Sequence, residues 1–291
     1  ILIKIIIMNI LIININKKWI YNLYEEYIIS FEQFIKKYYT SVIIDTLYYD
    51  LEIFNIELLK DINFNLYKKI IYCGNIDILN ILLKKVNYTK LNYLNIEQLS
   101  QTNYYKELRK INKNINIIDY SEENIPFLQN IYNYFLFPPF YELYYITYAD
   151  KSIDILSICN NEYRKTIFNN INIDTKFNTI ILDNCFGQER NEYFNKAKIY
   201  INIHGSESHK TMEMIRIVNL ICRKVIIISQ STIYSELLFL KDYIIICNDI
   251  NLFSEYINEI LNNYEKYYHQ IYNNFDEKYN KYIKYIKKNI D

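Results

Sequence analysis

The sequence predicts an α/β protein made of two parallel-sheet domains, and three observations carry that prediction. Short apolar runs recur along the whole chain and alternate with stretches of helical spacing, the pattern of a parallel sheet covered by helices on both faces. The unit is clearest from Ala197 to Ser229. There Ile199, Ile201 and Ile203 alternate as in a strand, and His204 to Ser208 form a small polar break. Met212, Ile215, Val218 and Ile221 then return at helical spacing, and Val225 to Ile228 begins the next strand. Finally, Phe137-Pro138-Pro139-Phe140 holds the only adjacent prolines and falls near mid-chain between two such series. Two prolines stop both helix and regular sheet, so this segment is expected to be an inter-domain linker. The expected domains are 1–142 and 143–275, followed by a C-terminal helix over 276–291.

In chain order, Met8 to Ile15 is the first strand, and a helix follows to about Tyr39, with Ser30 and Gln33 spaced as a capping box. Val42 to Ile44 and Lys69 to Cys73 are strands, Gly74 is a turn and Asp77 to Lys85 a helix. Leu91 to Ile96 and Ile115 to Ile118 are further strands on either side of a helix near Tyr104 to Ile111. The second half repeats the logic. Strands are expected at Ile153 to Cys159, Thr179 to Leu182, Ile199 to Ile203, Val225 to Ser229 and Tyr243 to Cys247, with helices at Glu162 to Ile171, after Phe186 and after Ser208. From Leu252 onward the chain is helical, with a Tyr- and Lys-rich end of mixed charge expected to be a solvated amphipathic surface.

Composition bounds the function. The 33 Lys and Arg cancel the 33 Asp and Glu, so no basic field points to nucleic acid, and none is expected as a partner. Thirty-three Tyr against 3 Gly and 3 Pro suggests an AT-rich genome, in which the remaining glycines mark places where the backbone needs them. The five cysteines lie in apolar runs without zinc spacing, which predicts buried reduced thiols and a cytoplasmic protein. The apolar start, Ile1 to Ile15, is broken by Lys4, Asn9 and Asn14 and falls short of the ~20 residues that cross a bilayer. Neither a signal peptide nor stable membrane insertion is expected. Met8 looks like a natural start, with residues 1–7 as an upstream extension.

Several segments then carry a resemblance. In order, YLNIEQLS (Tyr93 to Ser100), IIDYSEENI (Ile117 to Ile125), FPPFY (Phe137 to Tyr141), SIDILSICNNEYRKTIF (Ser152 to Phe168), FGQERNEYFNKAKIYINIH (Phe186 to His204) and MEMIRIVNLICRKVIIIS (Met212 to Ser229) resemble GT-B glycosyltransferases of bacteria and large DNA viruses. The likeness runs from about Leu91 to Ile260. It implies two Rossmann-like domains, an N-terminal one for the acceptor and a C-terminal one for a nucleotide sugar. The implied activity is metal-independent transfer of a sugar to a glycan, lipid or protein, without any cofactor beyond the donor. Cys159 stands where the family usually has Gly, Arg164-Lys165 where it has paired arginines, and Gln230 where a Glu often follows the strand. These departures keep open an inactive GT-B-like scaffold or a nucleotide-binding interaction protein.

The chemistry of such a donor names the candidates. A diphosphate leaving group needs cations or helix N-termini, which Arg164 and Lys165 offer at the start of a helix; the alternative is a surface basic pair. Vicinal ribose hydroxyls suit a carboxylate, and Glu213 resembles the ribose-binding Glu of the family; otherwise it makes a solvated i,i+3 pair with Arg216. His204, Gly205 and Ser206 form the loop at the strand end, where His204 is a sugar contact or a structural histidine. Asp119, Glu97 and Glu122 are the candidates for a catalytic base. No metal site is expected.

Overall fold

The structure is a computed structural model that describes residues 8–290 apart from 17 and 40. The apolar segment 1–7, taken above as an upstream extension, lies outside the described residues. The chain divides between Phe140 and Tyr141 into two compact units.

The first unit runs β1 (Met8–Asn16), α1 (Lys18–Tyr38), β2 (Val42–Asp50), β3 (Lys69–Gly74), α2 (Ile76–Leu82), β4 (Leu91–Asn95), α3 (Thr102–Leu108), β5 (Asn116–Asp119), α4 (Ile125–Leu128) and β6 (Tyr134–Leu136). Its six strands lie in the order β2-β1-β3-β4-β5-β6, and every pairing is parallel. The second unit runs β7 (Ile153–Ile158), α5 (Glu162–Asn169), β8 (Thr179–Leu182), α6 (Gly187–Lys196), β9 (Ala197–Asn202), α7 (Met214–Cys222), β10 (Ile226–Gln230), β11 (Ile244–Cys247), α8 (Leu252–Asn262), α9 (Tyr264–Tyr272) and α10 (Phe275–Ile290). Its five strands, also all parallel, take the order β11-β10-β9-β7-β8.

Both sheets are wound alike: the second strand lies outside the first and the third returns on its other side. The direction of winding therefore reverses between β1 and β3 and between β7 and β9, and the crevice outside the carboxyl ends at such a point is where open α/β sheets bind ligands. Central strands are apolar on both faces because helices cover both. Ile10 to Ile13 of β1, Ile70 to Cys73 of β3 and Ile199 to Ile201 of β9 are all buried.

Gly74 is needed where β3 ends beside β1. Its φ is +138°, and a Cβ there would sit 2.0 Å from the Ile15 carbonyl oxygen. Gly74→Ala is expected to cost about 1–3 kcal/mol from the backbone alone, with the clash added. The check is faster hydrogen exchange in β1 and β3 than in the unsubstituted protein.

One expectation changes and two are refined. The capping box at Ser30 does not form, because α1 continues straight through it on the buried stripe of Tyr24, Tyr27, Ile28, Phe31, Phe34 and Ile35. The Ser30 hydroxyl instead accepts from the Phe140 N–H at 2.7 Å and donates to the Phe140 carbonyl at 2.8 Å. The presumed linker is thus anchored: Phe137 and Phe140 are buried, and both rings pack edge-on to Phe34. Lastly, the Tyr-rich end is amphipathic as expected, but its Tyr face is packed into the core and only the Lys-, Glu- and Asn-bearing face is solvated. Tyr264, Tyr268, Tyr272, Tyr279 and Tyr282 are buried along α9 and α10, and the Tyr272 hydroxyl donates to the Val225 carbonyl at 2.6 Å. Among the described residues no helix is long and apolar enough to cross a membrane, and all five cysteines are free and buried.

Candidate functional site

The carboxyl ends of β7 and β9 gather the largest set of candidates. After β7 the chain turns at Asn160 and Asn161. The Asn161 side chain accepts from the Arg164 backbone N–H at 2.9 Å and so caps α5, while its amide donates to the Gly205 carbonyl at 3.0 Å. This cap fixes the start of α5 and aims Arg164 inward. The Arg164 side chain is 3% exposed. It donates from Nε to the Ile203 carbonyl at 2.9 Å, from Nη1 to Asn160 Oδ1 at 2.6 Å and from Nη2 to Glu213 Oε1.

Glu213 immediately precedes α7. Its second oxygen, Oε2, pairs with Arg216 Nη2 at 2.5 Å, and Arg216 Nη1 donates to the Tyr200 hydroxyl at 2.9 Å. The two readings of Glu213 thus meet in one place. It does form an i,i+3 pair with Arg216, yet that pair is largely buried and shares its carboxylate with a guanidinium from another helix. Burial by itself would raise the Glu213 pKa; Arg216 and then Arg164 outweigh it and hold the carboxyl at about 2. Two guanidiniums against one carboxylate leave the cluster one net positive charge, on α5 and α7 at the sheet's switch point.

The loop after β9 stands beside this cluster. The His204 N–H donates to Gln230 Oε1 at 2.8 Å and its Nε2–H to the Ser231 carbonyl at 3.0 Å, while burial lowers its pKa and keeps the ring neutral. Ser206 Oγ lies 2.7 Å from His209 Nδ1. Gly205 is held between two side chains: a Cβ would come within 3.2 Å of the His209 ring and 3.6 Å of Arg164 Nη2. A cavity of about 290 Å³ opens here, lined by His204, His209, Gln230, Thr232 and Asn248 among others.

Lys165 is not brought to the cluster. Its exposed ammonium sits 3.5 Å from both Glu162 and Asp183, which raise its pKa. Cys159 is buried at the end of β7, 3.6 Å from the Ser157 hydroxyl, and burial raises its thiol pKa.

The base candidates lie in the first unit, at the carboxyl ends of β4 and β5, and their surroundings separate them. Asp119 is fully buried and accepts from Asn95 at 2.7 Å, from the Ser121 N–H at 2.9 Å and from Asn124 at 3.0 Å. The same two amides donate to the Glu97 carbonyl, Asn124 at 2.9 Å and Asn95 at 3.1 Å, so Asp119 holds the turn that carries Glu97. Burial lifts the Asp119 carboxyl to about 7 against those hydrogen bonds. Glu97 is only partly buried; burial raises it to about 7 while the Tyr24 hydroxyl, hydrogen bonded to it, pulls the other way. Glu122 is buried at the start of a short 3-10 turn.

Among the described residues no group of three or more His, Cys, Asp or Glu has the geometry to hold a metal ion. Asn161 is legible as a helix cap in the sequence. Tyr200 is not, since its contact with Arg216 depends on how α7 packs on β9.

No protein-family model matches the chain. It is 29% identical over 148 residues to an uncharacterized protein of Acanthamoeba polyphaga mimivirus, covering 49% of this chain and 51% of that protein. A second uncharacterized mimivirus protein is 26% identical over 247 residues, covering 80% and 73%. The matched part thus spans about half the length of the first relative. Among solved structures, the DNA modifying enzyme β-glucosyltransferase, solved with and without uridine diphosphoglucose, is similar at a TM-score of 0.57 and 14% identity, covering 98% of this chain and 100% of that one. T4 phage BGT in complex with UDP and Mn2+ gives 0.56 at 15% identity over the same shares of the two chains. The resemblance to GT-B nucleotide-sugar glycosyltransferases of viral type therefore holds at the level of fold.

Proposed function

We propose that this protein is a glycosyltransferase that moves a sugar from a nucleotide-sugar donor to an acceptor. The observation that carries this reading is the buried Arg164–Glu213–Arg216 cluster at the β7/β9 switch point. The first turn of α5 faces the diphosphate, and Arg164, buried behind it, adds positive charge that offsets what builds on the leaving group as the glycosidic bond breaks. Glu213, held ionised, accepts from the ribose hydroxyls, and His204, Gly205 and Ser206 line the loop over them. Lys165 contributes only through the field at the start of α5. The first unit binds the acceptor and the second, 143–275, the donor. Glu97 is the general base: it is partly exposed and titrates near 7, whereas the Asp119 oxygens are already committed. The acceptor hydroxyl attacks the anomeric carbon, its proton passes to Glu97, and the nucleoside diphosphate departs.

Guanidiniums supply the cationic work, so transfer proceeds without a resident metal ion or any cofactor beyond the donor. Gln230, in the place of a Glu, still supplies the acceptor for the His204 N–H, which favours an intact site over an inactive scaffold. Net charge does not decide the acceptor. The likeness to a DNA modifying enzyme adds nucleic acid to the glycans, lipids and proteins to be tried, against the expectation from charge.

Calorimetric titration of UDP- and GDP-sugars tests this. The expected result is micromolar donor binding that weakens at least tenfold in Arg164→Ala, with slow donor hydrolysis that persists in EDTA. Binding unchanged in Arg164→Ala would remove the site; hydrolysis abolished by EDTA and restored by Mn2+ would transfer the cationic role to a metal.

A further inference from the structure

We infer that Gln230 is a specificity-determining residue, selecting a donor whose base presents a carbonyl oxygen beside a ring N–H, as uracil and guanine do, over cytosine and adenine. The inference rests on the proposed nucleotide-sugar site and extends it to the base.

An amide side chain is ambiguous as a recognition group because its two ends have opposite hydrogen-bonding character. At Gln230 the ambiguity is removed by the backbone. The His204 N–H can only donate, and at 2.8 Å from the side chain it identifies the atom facing it as the oxygen. The remaining end, Nε2, is a donor on a residue that lines the cavity, and only a flip that breaks that bond would present an acceptor in its place. His204 is locked in the complementary sense. Its Nε2–H donates to the Ser231 carbonyl at 3.0 Å, so its Nδ1 carries a lone pair and accepts. Gln230 and His204 therefore offer one donor and one acceptor from neighbouring positions at the ends of β10 and β9.

That pair is the complement of a carbonyl next to an N–H. Cytosine and adenine present an amino group next to a bare ring nitrogen, the reverse pattern, and meet donor with donor and acceptor with acceptor. The cavity also has unmet polar demand. His204 Nδ1 and Thr232 Oγ1, both on residues that line it, are buried and have no hydrogen-bond partner among the described residues. Buried polar groups in folded proteins are nearly always satisfied, by water or ligand where not by protein. Its volume of about 290 Å³ is ample for a nucleobase, and His204 and His209 join it to the Glu213 cluster, where the ribose is placed.

The test uses size-matched pairs of nucleotides, UDP with CDP and GDP with ADP, titrated into the whole protein by calorimetry. UDP is expected to bind at least about tenfold more tightly than CDP, and GDP than ADP, since each mismatch forfeits a hydrogen bond and leaves a buried partner unpaired. Gln230→Glu keeps an oxygen for the His204 N–H but turns the donor into an acceptor, so each ratio should collapse or reverse. Gln230→Ala should bring both ratios toward one and serves if the Glu variant is unstable. Ratios near one in the unsubstituted protein, or ratios untouched by either substitution while nucleotides still bind, would overturn the role of Gln230 and leave the nucleotide-sugar site standing. Failure of all four nucleotides to bind a folded protein would overturn both.

Discussion

Replacing Glu213 by alanine is expected to cost the second unit about 3 kcal/mol, because it leaves two largely buried guanidiniums facing each other without a counter-charge. The loss should appear as faster hydrogen exchange in α7 and β9, with β1 and β3 unaffected. The same carboxylate makes this unit acid-sensitive, and the sign follows from its pKa. The group titrates near 4.5 in the unfolded chain and near 2 when folded. Its contribution is therefore complete above about pH 4.5 and is lost as pH falls toward 2, amounting to about 3 kcal/mol. In Glu213→Gln the midpoint of urea unfolding of the second unit should vary less over that interval. An unchanged pH profile would mean that the paired guanidiniums do not stabilise the carboxylate. The substitution also separates two ligand roles: Glu213→Gln should weaken UDP, which carries a ribose, but leave inorganic pyrophosphate bound as well or better, since the cluster gains positive charge.

For catalysis the largest loss is expected at Glu97. Glu97→Gln should lower kcat by about 10²- to 10⁴-fold with little change in KM for the donor. A general base must be unprotonated to act, and burial places this one near 7. Turnover by the unsubstituted protein should therefore fall as pH drops below about 7, and the residual rate of Glu97→Gln should lose that limb. Asp119→Asn would act differently. It turns one acceptor into a donor among amides that already donate, loosens the turn carrying Glu97 and lowers stability, while the limb near 7 survives. If the limb vanished in Asp119→Asn and persisted in Glu97→Gln, the two carboxylates would exchange roles.

Much of the fold could be read from the chain because its central strands are buried on both faces, which leaves unbroken apolar runs such as Ile10 to Ile13 and Val225 to Ile228. What escaped detection lies where that signal is diluted. Strand β2 continues to Asp50, but Asp45 and Thr46 interrupt it because an edge strand is only partly covered. Strand β6 has three residues, too few to show a period. The candidate site was legible in its local parts, His204 at a strand end and Glu213 three residues before Arg216. It was not legible in the contact that defines it, since Arg164 and Glu213 are 49 residues apart and meet only because β7 and β9 are neighbours. Lys165 shows the converse. It is adjacent to Arg164 in sequence, but successive helical residues point about 100° apart, and this one turns to Asp183.

The aromatic segment that closes the first unit bears on how the halves of the chain can be prepared separately. Phe137 and Phe140 belong to the packing of α1, with the Tyr27 hydroxyl donating to the Phe137 carbonyl and the Ser30 hydroxyl holding both the N–H and the carbonyl of Phe140. A fragment ending at Leu136 would keep all six strands, yet expose the α1 rings and strand two hydroxyls. One ending just beyond Phe140 retains its own last wedge. Limited proteolysis of the intact protein should accordingly spare the Pro138-Pro139 bond region despite its irregular backbone, and a cut at Leu136 should yield an N-terminal piece that aggregates.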